Sequence, residues 1–316
     1  MGHYKKILNH IKRRGLGGTL TYGVQKWLGI SNLQEETAAI FYILDQHIAP
    51  KDFPRTSNED LRILQDCDTM LLGIFDKMCK KHGLTYWIEY GTLLGAVRHA
   101  GFIPWDDDTD VAMPRKDFEK AYELMHNEFE KYGITLEYDI NNISSLQLHY
   151  RHRETGTWVD ITPMDTFISP YGLDETRSFL TPLIVKYIKY YDSHIKSPIK
   201  ALWRKKEEMI FSLQSGGNRY MFHGQEFRQT KIRVLREADL VPCKRIEFNG
   251  VELNAPANPG EYLTYVYGKN YMGFPHGGIL RHGELMGRPP LDQWGKIHGV
   301  DMNELYIHLK GIYSNI

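Results

Sequence analysis

The run Pro104-Trp105-Asp106-Asp107-Asp108-Thr109-Asp110-Val111 places four carboxylates within five residues. Carboxylates this close repel one another, so without a cation the run costs stability. If it forms a strand, alternation sends Asp106, Asp108 and Asp110 to one face and Asp107 to the other. One face then offers several hard oxygen donors, which suits Mg²⁺ or Mn²⁺. Asp106, Asp108 and Asp110 also match the first three ligand positions of an EF-hand loop. The match fails where that loop needs Gly and Glu, because Val111 and Asp117 stand at its sixth and twelfth positions.

Upstream, Gly91-Thr92 sits where a strand gives way to a helix, so backbone N–H groups and the positive end of a helix dipole can face a phosphate. Arg98 lies about one and a half turns further on, where its guanidinium could hold a phosphate oxygen pair. Downstream, Asp160 interrupts the apolar segment Trp158-Val-Asp-Ile, an expensive place for a charge unless it is paired. Asp108, Asp110 and Asp160 would then hold one or two divalent ions, the arrangement that serves phosphoryl-type transfer from a nucleotide. Asp165 is a second candidate, but Pro163 is expected to end the strand before it.

These groups need elements to position them. Leu61, Leu64, Cys67, Leu71, Ile74, Phe75 and Met78 keep helical spacing, with Ser57 and Asp60 as a capping box and Gly83 as the stop. Strands are expected over 85–90, 108–113, 134–138, 146–151 and 158–161, with helices over 92–99 and 116–131. Asn249-Gly250 marks a hairpin turn within 245–253, and 301–310 reads as a closing helix. Strands interleaved with helices predict an α/β class, mixed with α+β character: a small mixed sheet flanked by helices. The organisation expected is a basic helical segment over 1–50, a catalytic core over 51–180, and a helical and hairpin region over 181–316 contributing to the donor and acceptor site.

The 316 residues carry 39 Lys and Arg against 39 Asp and Glu, so no nucleic-acid partner is expected. The balance hides asymmetry, since residues 1–34 hold Lys5, Lys6, Lys12, Arg13, Arg14 and Lys26 and no acid. Tyr4, Ile7, Leu8 and Ile11 fall at helical spacing there, and two readings stand: a helix lying on an anionic membrane surface, or the solvated start of a helix packed on the core. A basic, aromatic stretch over 186–206 could hold a polyanionic or sugar-containing acceptor, or RNA, or be a solvated helix face. No secretory or membrane-spanning run is apparent, which places the chain in the cytosol, with residues 1–34 available for contact at the inner membrane face. Cys67, Cys79 and Cys243 are an odd set without CxxC spacing and are expected to be packing residues.

The run from Tyr90 to Met113, Tyr-Gly-Thr-Leu-Leu-Gly-Ala-Val-Arg-His-Ala-Gly-Phe-Ile-Pro-Trp-Asp-Asp-Asp-Thr-Asp-Val-Ala-Met, closely resembles the hallmark of the LicD family of phosphocholine transferases, which includes the fukutin-related proteins. Trp158 to Asp165 and Tyr262 to Met272 are similar to further family segments, extending the resemblance over about 58–282. The resemblance implies a nucleotidyltransferase-like fold, a CDP-alcohol donor such as CDP-choline, a glycan or lipid-linked glycan acceptor of lipopolysaccharide or teichoic acid type, and release of CMP. It implies Gly91 and Thr92 as the phosphate turn, Asp108 and Asp110 as the metal pair and Asp160 as the third carboxylate; residue type and spacing, apart from the resemblance, add Asp106 and Arg98 beside the donor. Thr162 stands where many members carry Phe, a departure expected to touch packing more than chemistry. The clustered Cys and His of the fukutin-related zinc insert are not apparent, so the bacterial-type branch is the better match. Two other activities share these carboxylates: nucleotidyl transfer from an NTP with release of pyrophosphate, and an Asp-x-Asp glycosyltransferase.

Overall fold

The computed structural model describes residues 47–138, 145–150, 157–178, 217–223, 233–273, 299 and 301–316. The basic segments 1–34 and 186–206 lie outside the described residues, as do His276 and His282. Residues 1–52 with 272–280 form one compact unit, whose described part includes a 3₁₀ turn at Pro50–Asp52. Residues 53–271 with 281–316 form the other, described from here on.

Helix α1 (Glu59–His82) buries an apolar stripe that includes Leu61, Leu64, Cys67, Leu71, Ile74, Phe75 and Met78. Its cap differs from the expected capping box: Asn58 Oδ1, one residue after Ser57, accepts the Leu61 N–H at 2.9 Å. Gly83 closes the helix in the left-handed conformation (φ 65°), its N–H reaching back to the last carbonyls. Cys67 and Cys79 are buried free thiols on this stripe and Cys243 is a partly buried one, as packing roles require.

The sheet that follows is mixed, and the fold class is α/β. Its path runs β1 (Trp87–Ile88), β2 (Asp110–Pro114), β5 (Trp158–Ser169), β4 (Leu146–Tyr150), β3 (Ile134–Tyr138), with β6 (Asn218–His223) pairing β5 and β7 (Val234–Arg236) pairing β6. Helix α2 (Tyr90–His99) connects β1 to β2 through a loop, and α3 (Arg115–Glu130) packs on β3 and β5. After β7 come α4 (Glu237–Leu240), the separate hairpin β8 (Lys244–Phe248) and β9 (Val251–Ala255), α5 (Pro259–Tyr267) and α6 (Met302–Asn315). Asn249 and Gly250 both have positive φ (51° and 82°), as an Asn-Gly hairpin turn demands. Asp76 on α1 ties this hairpin down through Arg245 (2.6 and 3.1 Å) while also accepting from Tyr86 (2.7 Å).

The strands at 87–88 and 158–169 differ from the sequence reading. Pairing over 85–90 is confined to Trp87–Ile88, because Glu89 already serves as the N-cap of α2. Strand β5 passes through Pro163 and reaches Ser169. Asp160 gives its N–H to Thr109 on the β2 side, so by alternation residue 163 would point its missing N–H to the other side. There β4 ends at Ile161 and β6 begins at Met164, so the proline interrupts neither ladder.

Candidate active site

Strands β2 and β5 run parallel with Asp110 directly opposite Asp160, which puts both side chains on one face of adjacent strands. Asp160 is oriented from its own sheet: Oδ1 accepts from Gln147 Nε2 (2.6 Å) and Oδ2 from Trp158 Nε1 (3.2 Å). Asp110 is held by backbone, its N–H donating to Thr92 Oγ1 (2.9 Å) and its carbonyl accepting the Glu89 N–H (3.1 Å). Burial, then the charges of Asp108, Asp160, Glu89 and Asp106, push the Asp110 carboxyl well above its ordinary range.

The acidic run does not form the alternating strand expected of it. Strand β2 begins only at Asp110, and residues 106–109 are a loop. Gln65 on α1 holds that loop by donating Nε2–H to the carbonyls of Asp106 (2.9 Å) and Ile103 (3.4 Å). Released from strand alternation, Asp107 joins the others: ligand oxygens of Asp106, Asp107 and Asp108 lie within 4.8 Å of one another. Gly91 is placed against this cluster, since a Cβ there would lie 2.7 Å from Asp106 Oδ2. Asp68 on α1 is a further, unexpected carboxylate. It is buried, accepts the Trp158 N–H at Oδ1 (3.1 Å), and has no hydrogen-bond partner at Oδ2 among the described residues. Burial raises its pKa well above normal against that hydrogen bond, and the charges of Asp108, Asp107 and Asp160 push the same way.

Two of the expected donor-binding residues sit differently. Thr92 is buried and its hydroxyl ties α2 to β2. Arg98 is 4% exposed, with Nη1 donating to the Tyr271 carbonyl (3.0 Å) and Nε to His99 Nε2 (3.0 Å). Burial lowers the Arg98 pKa to about 10, and burial with the Arg98 charge lowers that of His99 to about 4, which leaves the ring neutral to accept. Asp165, beyond Pro163, is engaged by a bidentate pair with Arg115 (2.8 and 2.7 Å). Trp87, Trp105, Trp158 and Tyr271 are suited by type to a cationic headgroup: Trp87 is fully buried, Trp105 packs edge-on against Phe53 (6.1 Å), Trp158 is bonded to Asp160, and Tyr271 is partly buried.

Behind the Asp110–Asp160 pair lies a polar network that sequence reading missed. Glu89 is completely buried and accepts from Thr162 Oγ1 (2.6 Å) and Tyr262 Oη (3.1 Å), while His223 Nε2 lies 2.9 Å from its Oε2. Thr162 is therefore a chemical departure, supplying a hydroxyl to a buried carboxylate where Phe could supply none. Tyr90 stacks on His223 (centroids 5.5 Å apart, 27°) and holds a left-handed backbone (φ 44°), a strained conformation for a non-glycine at the first turn of α2. The Arg233 guanidinium lies over the Tyr90 ring (5.1 Å) and donates Nη1–H to its hydroxyl (3.3 Å).

The donor set fits a hard divalent cation. It is all oxygen, it crowds like charges that a cation would relieve, and its members come from a loop and two adjacent strands. A family model described as LicD/FKTN/FKRP nucleotidyltransferase domain matches residues 83–181. The lipopolysaccharide cholinephosphotransferase LicD of Haemophilus influenzae is 39% identical over 71 residues, 22% of this chain and 27% of that protein. The ribitol 5-phosphate transferase FKRP of Homo sapiens is 36% identical over 64 residues, 20% of this chain and 12% of that protein. Mannosyltransferase regulator 4 of Saccharomyces cerevisiae is 24% identical over 115 residues, 32% of this chain and 10% of that protein. The matched part of the chain thus spans about a quarter or less of each of these relatives. No helix among the described residues is long and apolar enough to cross a membrane.

Proposed function

Residues 83–181 belong to the LicD family through its nucleotidyltransferase domain, and on that premise we propose that the protein moves a phospho-substituent, phosphocholine first among them, from a CDP-activated donor to a sugar hydroxyl. The acceptor is a glycan or lipid-linked glycan precursor of a surface polysaccharide, lipopolysaccharide or teichoic acid. The observation that carries this reading is the Asp110–Asp160 register on adjacent parallel strands, fed by the Asp106–Asp108 loop and facing the first turn of α2.

Asp108, Asp110 and Asp160 are the residues that would hold Mg²⁺ or Mn²⁺, which when bound supplies charge neutralisation at the donor diphosphate. The acceptor oxygen forms a bond to the β-phosphorus of the donor. The bond from that phosphorus to the bridging oxygen breaks, CMP leaves with the electron pair, and the hydroxyl proton passes to the Asp160 carboxylate. Gln147 and Trp158 hold that carboxylate in one orientation by donating to its two oxygens. Gly91 and Thr92 set how closely α2 approaches the carboxylates. In this reading residues 51–180 are the core, residues 181–316 complete the site through Arg233 and Tyr262, and residues 1–34 dock the enzyme at the inner membrane face.

Purified protein supplied with CDP-choline, CDP-ethanolamine, CDP-glycerol or CDP-ribitol is expected to release CMP from one of them in a divalent-dependent way. Pyrophosphate release from an NTP, with all four donors inert, would overturn the reading in favour of nucleotidyl transfer.

A further inference from the structure

We infer that Arg233, outside the segment matched to the family, is the cation that grips the second phosphate of the donor, with the Tyr90 ring as the platform that aims it. The inference rests on the donor reading above and deepens it. A diphosphate entering this site meets a floor of carboxylates: Asp106, Asp107 and Asp108 on the loop, Asp110 and Asp160 on the strands. Binding there needs positive charge beyond the ions the carboxylates hold. Arg98, the basic residue that spacing suggests, has its guanidinium buried against the Tyr271 carbonyl and His99.

Two observations bear on Arg233. Its guanidinium lies over the face of Tyr90, the first residue of α2, next to Gly91 and the Asp106 carboxylate beside it. Its backbone is fixed, since the adjacent Val234 gives its N–H to Tyr265 Oη (3.4 Å) and receives Arg177 Nε–H at its carbonyl (3.0 Å). A guanidinium pre-set on an aromatic face loses little freedom on taking a phosphate, and its planar fork suits two phosphate oxygens. Tyr90 itself is held in its unusual backbone conformation by stacking on His223, which the buried Glu89 anchors. The anchor network thus has a role: it fixes the platform on which the arginine rests.

The test compares Mg²⁺-dependent binding of CDP and CMP by calorimetry, because only CDP carries the second phosphate. Wild type should bind CDP more tightly than CMP. Arg233→Gln should weaken CDP on the order of 10- to 100-fold while CMP stays within about twofold, the loss expected for charge-assisted hydrogen bonds. Arg233→Lys, which keeps the charge without the fork, should lose an intermediate amount and stands in if the glutamine variant fails to fold. A wild-type preference for CDP that persists in both variants overturns the assignment of Arg233 and leaves the donor reading standing. Wild-type protein that binds neither nucleotide overturns both.

Discussion

Asp110→Asn separates the cost of the carboxylate cluster from its use. In the cation-free protein, Asp110 and Asp160 face each other on neighbouring strands, where paired side chains stand about 5.5 Å apart. At an effective dielectric of about 20, two unit charges at that distance repel by about 3 kcal/mol, an upper figure for a partly solvated pair. The Asp110 carboxyl is raised above its ordinary value, so the folded state binds the extra proton. Stability must then fall as pH rises from the ordinary carboxylate range through the raised value, and the full cost applies only above that value. Asn keeps the shape and removes the charge. The chelator-treated variant should therefore melt above wild type by up to roughly 5–10 °C, the gap widening as pH rises and closing toward acid. Saturating Mg²⁺ should raise wild type and leave the variant nearly unmoved. Thermal melts by circular dichroism with and without chelator read this directly. A variant less stable than chelator-treated wild type, or an equal Mg²⁺ response in both proteins, would refute the reasoning.

Other expectations follow from single contacts. Gly91→Ala places a Cβ 2.7 Å from Asp106 Oδ2, so the loop carboxylate must move; Mn²⁺ affinity by electron paramagnetic resonance should fall about tenfold or more while the melt stays within a few degrees. Asp76 is desolvated, yet hydrogen bonds from Arg245, Lys80 and Tyr86 win and hold its pKa below normal. Its contribution is thus present above the ordinary carboxylate range and lost as pH falls through the lowered value. Asp76→Ala should cost about 1–3 kcal/mol in urea unfolding at neutral pH, because it takes one acceptor from Arg245 and leaves the buried Tyr86 hydroxyl without its own, and the deficit should shrink in acid.

The elements built on local pattern were legible. The stripe of α1, the Asn249-Gly250 turn and the strand at 134–138 follow from side-chain period and turn chemistry, which act within a few residues. The errors have tertiary causes. Asp107 was assigned to the far face because a strand was expected, but Gln65, some forty residues away, holds the segment as a loop. Pro163 was read as a stop, yet it falls where β5 changes partners from β4 to β6, which no local signal marks. The Glu89 network was invisible because Thr162, His223 and Tyr262 come from three distant segments. Thr162 in place of the commoner Phe was its one trace, since a hydroxyl in a buried strand needs an acceptor nearby. The Arg98 contact has a related cause: helical spacing fixes its height on α2, whereas the Tyr271 carbonyl that its guanidinium meets belongs to a segment after α5.

The central claim is that the paired carboxylates of β2 and β5 serve transfer of a phospho-substituent with CMP as the leaving group. The most direct measurement is phosphorus NMR of the products formed from CDP-choline and a sugar-containing acceptor in Mg²⁺, with wild type and Asp110→Ala side by side. The account predicts CMP and a new phosphodiester from wild type and neither from the variant. Undiminished turnover by Asp110→Ala, or pyrophosphate from an NTP in place of CMP, would contradict it.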